Sequence, residues 1–460
     1  MDHTSIPKID QLARKYNEAN IPLYLSYPTS NWWNKPLDED EFVKTHGSGL
    51  PPFLYFHFPY CRTPCYYCMC YKYVSNDTRH NDIYIDYLQK EFSHTLDRLG
   101  INGQNRVRHV HWGGGTPTYL TCAQIDKVHR ALFSRLTLIE GAAAGKSIEA
   151  YPDEQILTEE KLRLLSDLGF TEISLGIQDF DERIQKTINR NCTTKTVHRI
   201  IDRARKFGFR VHIDLCYGLP FQGLNELEKS VKEVIRMAPD RVALFTYVHY
   251  PHIFPLQRKI PTASIPNSFI RVLLAMLAND LFDAHGFKKV GYDHYVKDND
   301  VLYQALLNRK VIRDFMGYSV DHKREFMGFG NSAISFPGDG FYQNIQSLKN
   351  YYRAVDDARI PIEGRMTHQL TPEDRLRNEV IQKSILSDFS IRKREINRGF
   401  DIHFDDYFRP ELEKLVQLEH DGLVDLSDQD TIQVTRIGAY FARHIAHVFD
   451  TYYDRREFLN

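Results

Sequence analysis

Between residues 53 and about 250, short apolar runs alternate with longer amphipathic stretches. The runs are Phe53–Phe58, His109–Trp112, Ser147–Ala150, Glu172–Ile177, Val211–Leu215 and Arg241–Tyr247. Between them lie helix-like segments: Asn81–Leu99, Ala123–Leu136, Glu159–Leu168, Lys195–Phe207 and Asn225–Met237. Strand and helix signals in strict alternation predict a parallel sheet with helices outside it, an α/β fold. Six such units, where a closed barrel takes eight, predict an open, partial (β/α)6 barrel.

Beyond Asn267 the rhythm changes. Ser268–His285 reads as a helix, and Val311–Ser335, rich in Gly and aromatics, reads as loops. From Thr371 onward the pattern is mostly helical, with a small strand–turn–strand over Leu423–Ile437. The expected organisation is therefore an N-terminal extension over 1–50 packing over the barrel, the barrel over 51–290, a barrel-closing segment over 291–365, and a mostly helical C-terminal domain over 366–460.

In α/β folds of this kind, ligands sit at the C-terminal ends of the strands. The sequence puts its chemically distinctive residues there. Four cysteines follow the first run, and Gly113-Gly114-Gly115 follows the second. Glu149 ends the third, Gln178 the fourth, and Asp214 lies near the end of the fifth.

Composition narrows the class. The chain is 42% hydrophobic and 26% charged, with a formal net charge of -1. That balance supports a large core and offers no basic excess to neutralise nucleic-acid phosphates. No apolar run approaches the roughly 18 residues of a membrane span, and the first residues lack a secretory pattern. A cytoplasmic protein is expected. Seven cysteines are present, an odd number, and four fall within residues 61–70. Disulfide frameworks spread along short secreted chains, so a tight group of thiols points to metal.

Cys61-x3-Cys65-x2-Cys68 is the sharpest motif. Thiolates are soft ligands that suit iron–sulfur clusters or zinc. A cubane cluster usually takes four thiolates, so three leave one iron open for a ligand. Cys70 follows too closely to make an easy fourth, and a zinc knuckle would normally pair two well-separated Cys-x2-Cys hooks. Tyr60, Tyr66 and Tyr67 would shield a cluster from solvent. The glycine run in His111-Trp112-Gly113-Gly114-Gly115-Thr116-Pro117 lets backbone amides approach a ligand closely, although alone it is equally a tight turn. Taken singly, Glu149, Arg190 and Asp214 read as ordinary ion-pair residues; their shared placement at strand ends favours a site. Cys122, Cys192 and Cys216 read as packing residues.

The cysteine motif followed by Gly-Gly-Gly-Thr-Pro resembles the radical S-adenosylmethionine superfamily. Tyr55-Phe56-His57-Phe58-Pro59, the extra Cys70, Ser174–Phe180, Asn189-Arg190, Ile213–Pro220, Gln257–Ile260, Gly291–His294, Ser332–Ser335 and Phe449–Tyr452 extend the likeness to the oxygen-independent coproporphyrinogen III dehydrogenase group, over nearly the whole chain. The resemblance implies that Cys61, Cys65 and Cys68 hold a [4Fe-4S] cluster. It implies that Tyr55, Gly114, Glu149, Gln178, Arg190 and Asp214 hold one S-adenosylmethionine, with Tyr55, Glu149 and Arg190 nearest the chemistry. A second S-adenosylmethionine is implied at Tyr67, Gly115, Thr116, Val248 and Ile334. The implied reaction uses a 5′-deoxyadenosyl radical to convert two propionates of coproporphyrinogen III into vinyl groups, giving protoporphyrinogen IX for haem. The implied partners are the tetrapyrrole and an electron donor such as flavodoxin or ferredoxin, with the enzyme a monomer.

The chain departs from that group's pattern at several places. A substrate-facing arginine is Leu23, Cys-Gly-Cys is Cys68-Met69-Cys70, a glutamine beside the second cofactor is Met316, an alanine is Val248, and an aspartate before Pro152 is Tyr151. In a divergent dehydrogenase Arg258, Lys259, Lys72 or Arg313 are the candidates to take over the substrate carboxylates. The competing readings are a related radical enzyme that transfers a methyl or methylene group, closes a cyclopropane or opens a ring, and a non-catalytic cluster or haem carrier using some of the 20 histidines.

Overall fold

The computed structural model describes residues 6–16, 21–33, 37–45, 51, 53–141, 144–320 and 325–453. The chain divides into two compact units, neither of them one continuous segment. One comprises Asn34–Ile265 and Lys323–Gln369; the other comprises Met1–Trp33, Pro266–His322 and Leu370–Asn460. Among the described residues no helix is long and apolar enough to cross a membrane.

The first unit is the α/β body. Its strands are β1 (Phe53–Phe58), β2 (His109–Gly114), β3 (Gly145–Ala150), β4 (Glu172–Gln178), β5 (Arg210–Tyr217), β6 (Arg241–Thr246) and β7 (Phe326–Phe329). They pair in parallel in the order β6-β5-β4-β3-β2-β1-β7. The six predicted runs are thus β1 to β6. The seventh strand was read as loop; it is short, and Gly328 interrupts its apolar pattern. That glycine is required, because a Cβ there would drive into the Ile334 carbonyl.

Helices follow the strands: α1 (Arg79–Arg98), α2 (Cys122–Phe133), α3 (Glu159–Asp167), α4 (Thr194–Lys206) and α5 (Leu224–Met237). Their starts are set by local chemistry. Thr121 and Gln124 form a capping box on α2, and the hydroxyls of Thr158 and Thr193 cap α3 and α4. One face of the sheet is apolar. Leu54, Phe56, Val110, Trp112, Ile148, Ile173, Leu175, Val211 and Ile213 are fully buried. Trp112 packs against Phe58 and Phe170, each at 5.0 Å between ring centres. The opposite register of the same strands is polar, and this alternation creates the site.

In the second unit, Ile9, Leu12, Tyr24 and Tyr27 share a core with Val380, Ile381, Phe404, Phe408 and Ile445. Tyr24 donates to Asp450 at 2.9 Å, and Gln382 donates to the Tyr24 carbonyl at 2.9 Å. Ser268–Ala284 is the predicted helix. The C-terminal stretch is mainly helical, and the expected strand pair (Val424–Asp425 and Thr431–Val434) gains a third strand from Ser390–Arg392. Ile312–Asp314 and Gly317–Ser319 form a hairpin where loops were expected.

Candidate active site

Period-two alternation sends Tyr55 and His57 of β1, His109 and His111 of β2, Ser147 and Glu149 of β3, Ser174 of β4 and Asp214 of β5 to the polar face. Neighbouring strands bring them together. The rings of Tyr55 and His111 stack at 5.9 Å. Ser147 Oγ lies 2.8 Å from His109 Nε2 and 2.6 Å from His111 Nδ1, and His111 Nε2 lies 3.3 Å from Glu149 Oε1. Gly114 N–H donates to the other Glu149 oxygen at 3.0 Å. Burial pushes the Glu149 carboxyl up, but His111 and the Gly114 amide outweigh it and hold the group below its ordinary range. Asp214 behaves oppositely. Burial, then repulsion from Glu149, raises it to about 7, although Ser174 donates to both its oxygens at 3.1 and 3.2 Å.

His57 is the hinge between β1 and the cysteine loop. Its Nε2 lies 3.0 Å from the Tyr71 carbonyl, so that nitrogen carries the proton and Nδ1 accepts from the Tyr55 hydroxyl at 2.9 Å. Burial lowers its pKa to about 4, so the ring is neutral. Gly114, at φ +108°, passes so close to this ring that a side chain would strike it. Gly115 donates to the Phe58 carbonyl at 2.8 Å, and a Cβ there would lie 2.8 Å from Pro59.

The cysteine loop leaves β1 directly. Cys61 and Cys65 are buried, Cys68 is half-buried and Cys70 is exposed. Thr116 donates to Cys61 Sγ at 3.4 Å, Arg190 Nη1 to Cys65 Sγ at 3.0 Å, and Lys72 to the Cys68 carbonyl at 3.2 Å. Burial pushes the Cys61 thiol up to about 12; hydrogen bonding with Cys70 and the nearby Lys72 bring Cys68 down to about 5 against burial. Among the described residues no three His, Cys, Asp or Glu side chains close around a point as a single ion requires. A polynuclear cluster takes its thiolates on separate irons. Three thiols on one loop beside a guanidinium and an ammonium suit the donor set and negative charge of such a cluster. The Arg190 Nε is fully buried with no hydrogen-bond partner, an unsatisfied donor that an acceptor on a bound group would satisfy.

Gln178 is buried at a bulge where β4 slips against β5, with left-handed backbone at φ 73°. Arg190 Nη2 donates to the Gly176 carbonyl. The second group of predicted residues is tied by Gln257, which the sequence reading did not single out. Fully buried, it donates to the Val248 carbonyl at 3.0 Å and the Tyr67 carbonyl at 3.3 Å. Ile334 is half-buried and follows β7. His57, His111, Ser147 and Ser174 carry no role of their own in the sequence; the available signal was the two-residue spacing of His57 from Tyr55 and of Ser147 from Glu149. Of the cations offered for a carboxylate, Arg313 is buried and paired with Asp293 at 2.7 Å, while Arg258 donates to the Pro251 carbonyl at 3.1 Å. Lys259 lies over the Tyr66 ring at 4.7 Å. Cys192 and Cys216 are buried and Cys122 half-buried.

The Radical SAM superfamily model matches residues 55–234, a span that holds the cysteine loop, the glycine run, Glu149, Gln178, Arg190 and Asp214. The chain is 36% identical to the oxygen-independent coproporphyrinogen III oxidase of Escherichia coli (strain K12), over 97% of each chain. It is 34% identical to the enzyme of that name from Synechocystis sp., over 98% of this chain and 97% of the relative. Its fold matches the crystallised coproporphyrinogen III oxidase (HemN) from Escherichia coli with a TM-score of 0.85 at 34% identity, covering 94% of this chain and all of that one. On this full-length similarity the chain belongs to the oxygen-independent coproporphyrinogen III oxidase family of radical SAM enzymes.

Proposed function

We propose that the protein performs the oxygen-independent oxidative decarboxylation of coproporphyrinogen III, with a [4Fe-4S] cluster and S-adenosylmethionine as cofactors. The observation that carries this reading is the coincidence of full-length similarity with thiols, carboxylates and a guanidinium gathered towards the C-terminal ends of the parallel strands β1 to β5. When bound, the cluster and S-adenosylmethionine supply a carbon-centred radical able to take hydrogen from a propionate side chain.

The chain's own part is binding, orientation and shielding. Cys61, Cys65 and Cys68 would ligate the cluster. Glu149, held ionised by His111 and Gly114, and Asp214 would accept from an ammonium or from ribose hydroxyls. Arg190 would fork onto a carboxylate. Tyr55, Gly114 and Gln178 would contact the same cofactor. Tyr67, Gly115, Thr116, Val248 and Ile334 would line a second S-adenosylmethionine, with Gln257 fixing the backbone of the first and fourth. A small reducing protein such as flavodoxin or ferredoxin would deliver the electron. A cytoplasmic enzyme fits seven cysteines that are all free.

Anaerobic turnover of the iron-reconstituted protein with S-adenosylmethionine, reductant and coproporphyrinogen III, read by mass spectrometry, tests the proposal. Loss of two carboxyl groups with formation of 5′-deoxyadenosine is expected. Cofactor cleavage with intact porphyrinogen, or S-adenosylhomocysteine as coproduct, would redirect the reading to another substrate or to group transfer.

A further inference from the structure

Arg190 is 8% exposed, and among the described residues it has no carboxylate within ion-pairing distance. A buried charge without a counter-ion is costly unless other groups meet it. Its partners are the Gly176 carbonyl, Cys65 Sγ at 3.0 Å and two aromatic faces, Tyr151 at 4.5 Å and Tyr67 at 5.9 Å from the guanidinium carbon. The nearer ring is doubly anchored. Tyr151 lies two residues beyond Glu149, so the end of β3 supplies both. Its hydroxyl accepts from the Asn191 amide at 3.1 Å, and its carbonyl accepts from Asp153 N–H at 2.8 Å. Tyr151 therefore grips the side chain of residue 190 and the backbone of residue 191 together.

We infer that Tyr151 is a positioning residue for the cofactor site: its ring fixes the plane of the Arg190 guanidinium without itself supplying an anion, so that a guanidinium edge stays available to an anionic ligand, the carboxylate of S-adenosylmethionine. A carboxylate in place of the ring would hold the guanidinium equally well but would consume its charge. A π face attracts the cation without supplying a competing anion. The inference rests on the cofactor reading above.

The test is S-adenosylmethionine binding to anaerobically reconstituted enzyme, by equilibrium dialysis and by the change in the EPR signal of the reduced cluster on adding S-adenosylmethionine. Tyr151→Leu removes the ring and should weaken binding several-fold to about 30-fold. Tyr151→Phe keeps the ring, loses only the Asn191 bond, and should stay near wild type. Tyr151→His, a smaller ring, should fall between them and carries the comparison if the leucine variant takes up no iron. Wild-type affinity in the ringless variant, or equal loss in the phenylalanine and leucine variants, overturns the inference. Wild-type enzyme that takes up iron but shows neither binding nor an EPR change overturns the cofactor reading instead.

Discussion

Glu91 is the most consequential buried acid outside the cysteine loop and the carboxylate pair. It projects from α1 and is 1% exposed. One carboxylate oxygen accepts from the Gly330 amide at 2.7 Å and from the Tyr351 hydroxyl at 2.5 Å; the other accepts from Asn344 Nδ2 at 2.6 Å. Gly330 follows β7 and opens the turn to Ser332, whose backbone is left-handed at φ 61°. Glu91→Ala strands three donors, each costing about 1–3 kcal/mol, so local opening of this turn should become easier by about 3 kcal/mol or more, roughly a hundredfold. Glu91→Gln keeps the shape but turns an NH2 group toward one donor, for about 1–2 kcal/mol.

The charge adds a pH signature. Burial raises Glu91 from 4.5 to about 7 against the pull of its three donors. Between those values the folded form holds a proton that the unfolded form has lost. Stability from this group is therefore fully present below pH 4.5 and falls as pH rises to about 7, by up to about 1.4 kcal/mol per pH unit. Hydrogen–deuterium exchange of peptides spanning 326–346, corrected for intrinsic rates, reads both effects. Wild-type protection should fall from pH 5 to pH 7, and the glutamine variant should show a flat profile. Equal protection and equal slope in wild type and Glu91→Gln would refute the assignment of the buried charge to this carboxyl.

Other outcomes follow from the same geometry. Cys65→Ser should lose most bound iron and the brown absorbance, whereas Cys192→Ala should keep both; iron analysis after reconstitution decides. Asp214, raised to about 7, should make S-adenosylmethionine affinity fall as pH drops from 8 to 6, and Asp214→Asn should flatten that profile in dialysis experiments. Trp112→Ala removes a fully buried indole packed on Phe58 and Phe170 and should cost about 3–5 kcal/mol, seen as a lower urea midpoint for the apoprotein. Gly114→Ala should leave no room for the His57 ring, and wild-type activity in that variant would contradict the close approach.

The barrel was legible because its signals are local. Phe53–Phe58 begins and ends as the hydrophobic run predicts, and α2 to α4 start at threonines that cap them. What was not legible depends on contacts distant in sequence. β7 is four residues broken by a glycine, and its pairing with β1 lies some 270 positions away. Candidate residues were found where a motif carried them, as with Cys61 and Glu149. Gln257 lies in a stretch that carries the family likeness, but nothing in the sequence distinguishes a glutamine that ties two carbonyls from one that faces water. Tyr151 was visible only as a departure from the family's pattern; its meaning came from Arg190, on a different loop.

The polar face explains why such departures are tolerated at some positions and matter at others. Along β1 to β5 the site side chains are oriented by near neighbours: Tyr55 by His57 on its own strand and His111 on the next, His111 by Ser147, Glu149 by His111 and the Gly114 amide, Asp214 by Ser174. A lattice of this kind fixes charge positions before any ligand arrives, so binding need not reorganise it. It also sends Glu149 and Asp214 to opposite sides of their ordinary range, so near neutral pH the pair carries between one and two negative charges rather than a fixed two. Positions inside the lattice are constrained by the neighbours that orient them. Val248 is held in the structure through its carbonyl, which any residue supplies, so its side chain is free to differ from the family's without disturbing what Gln257 holds in place.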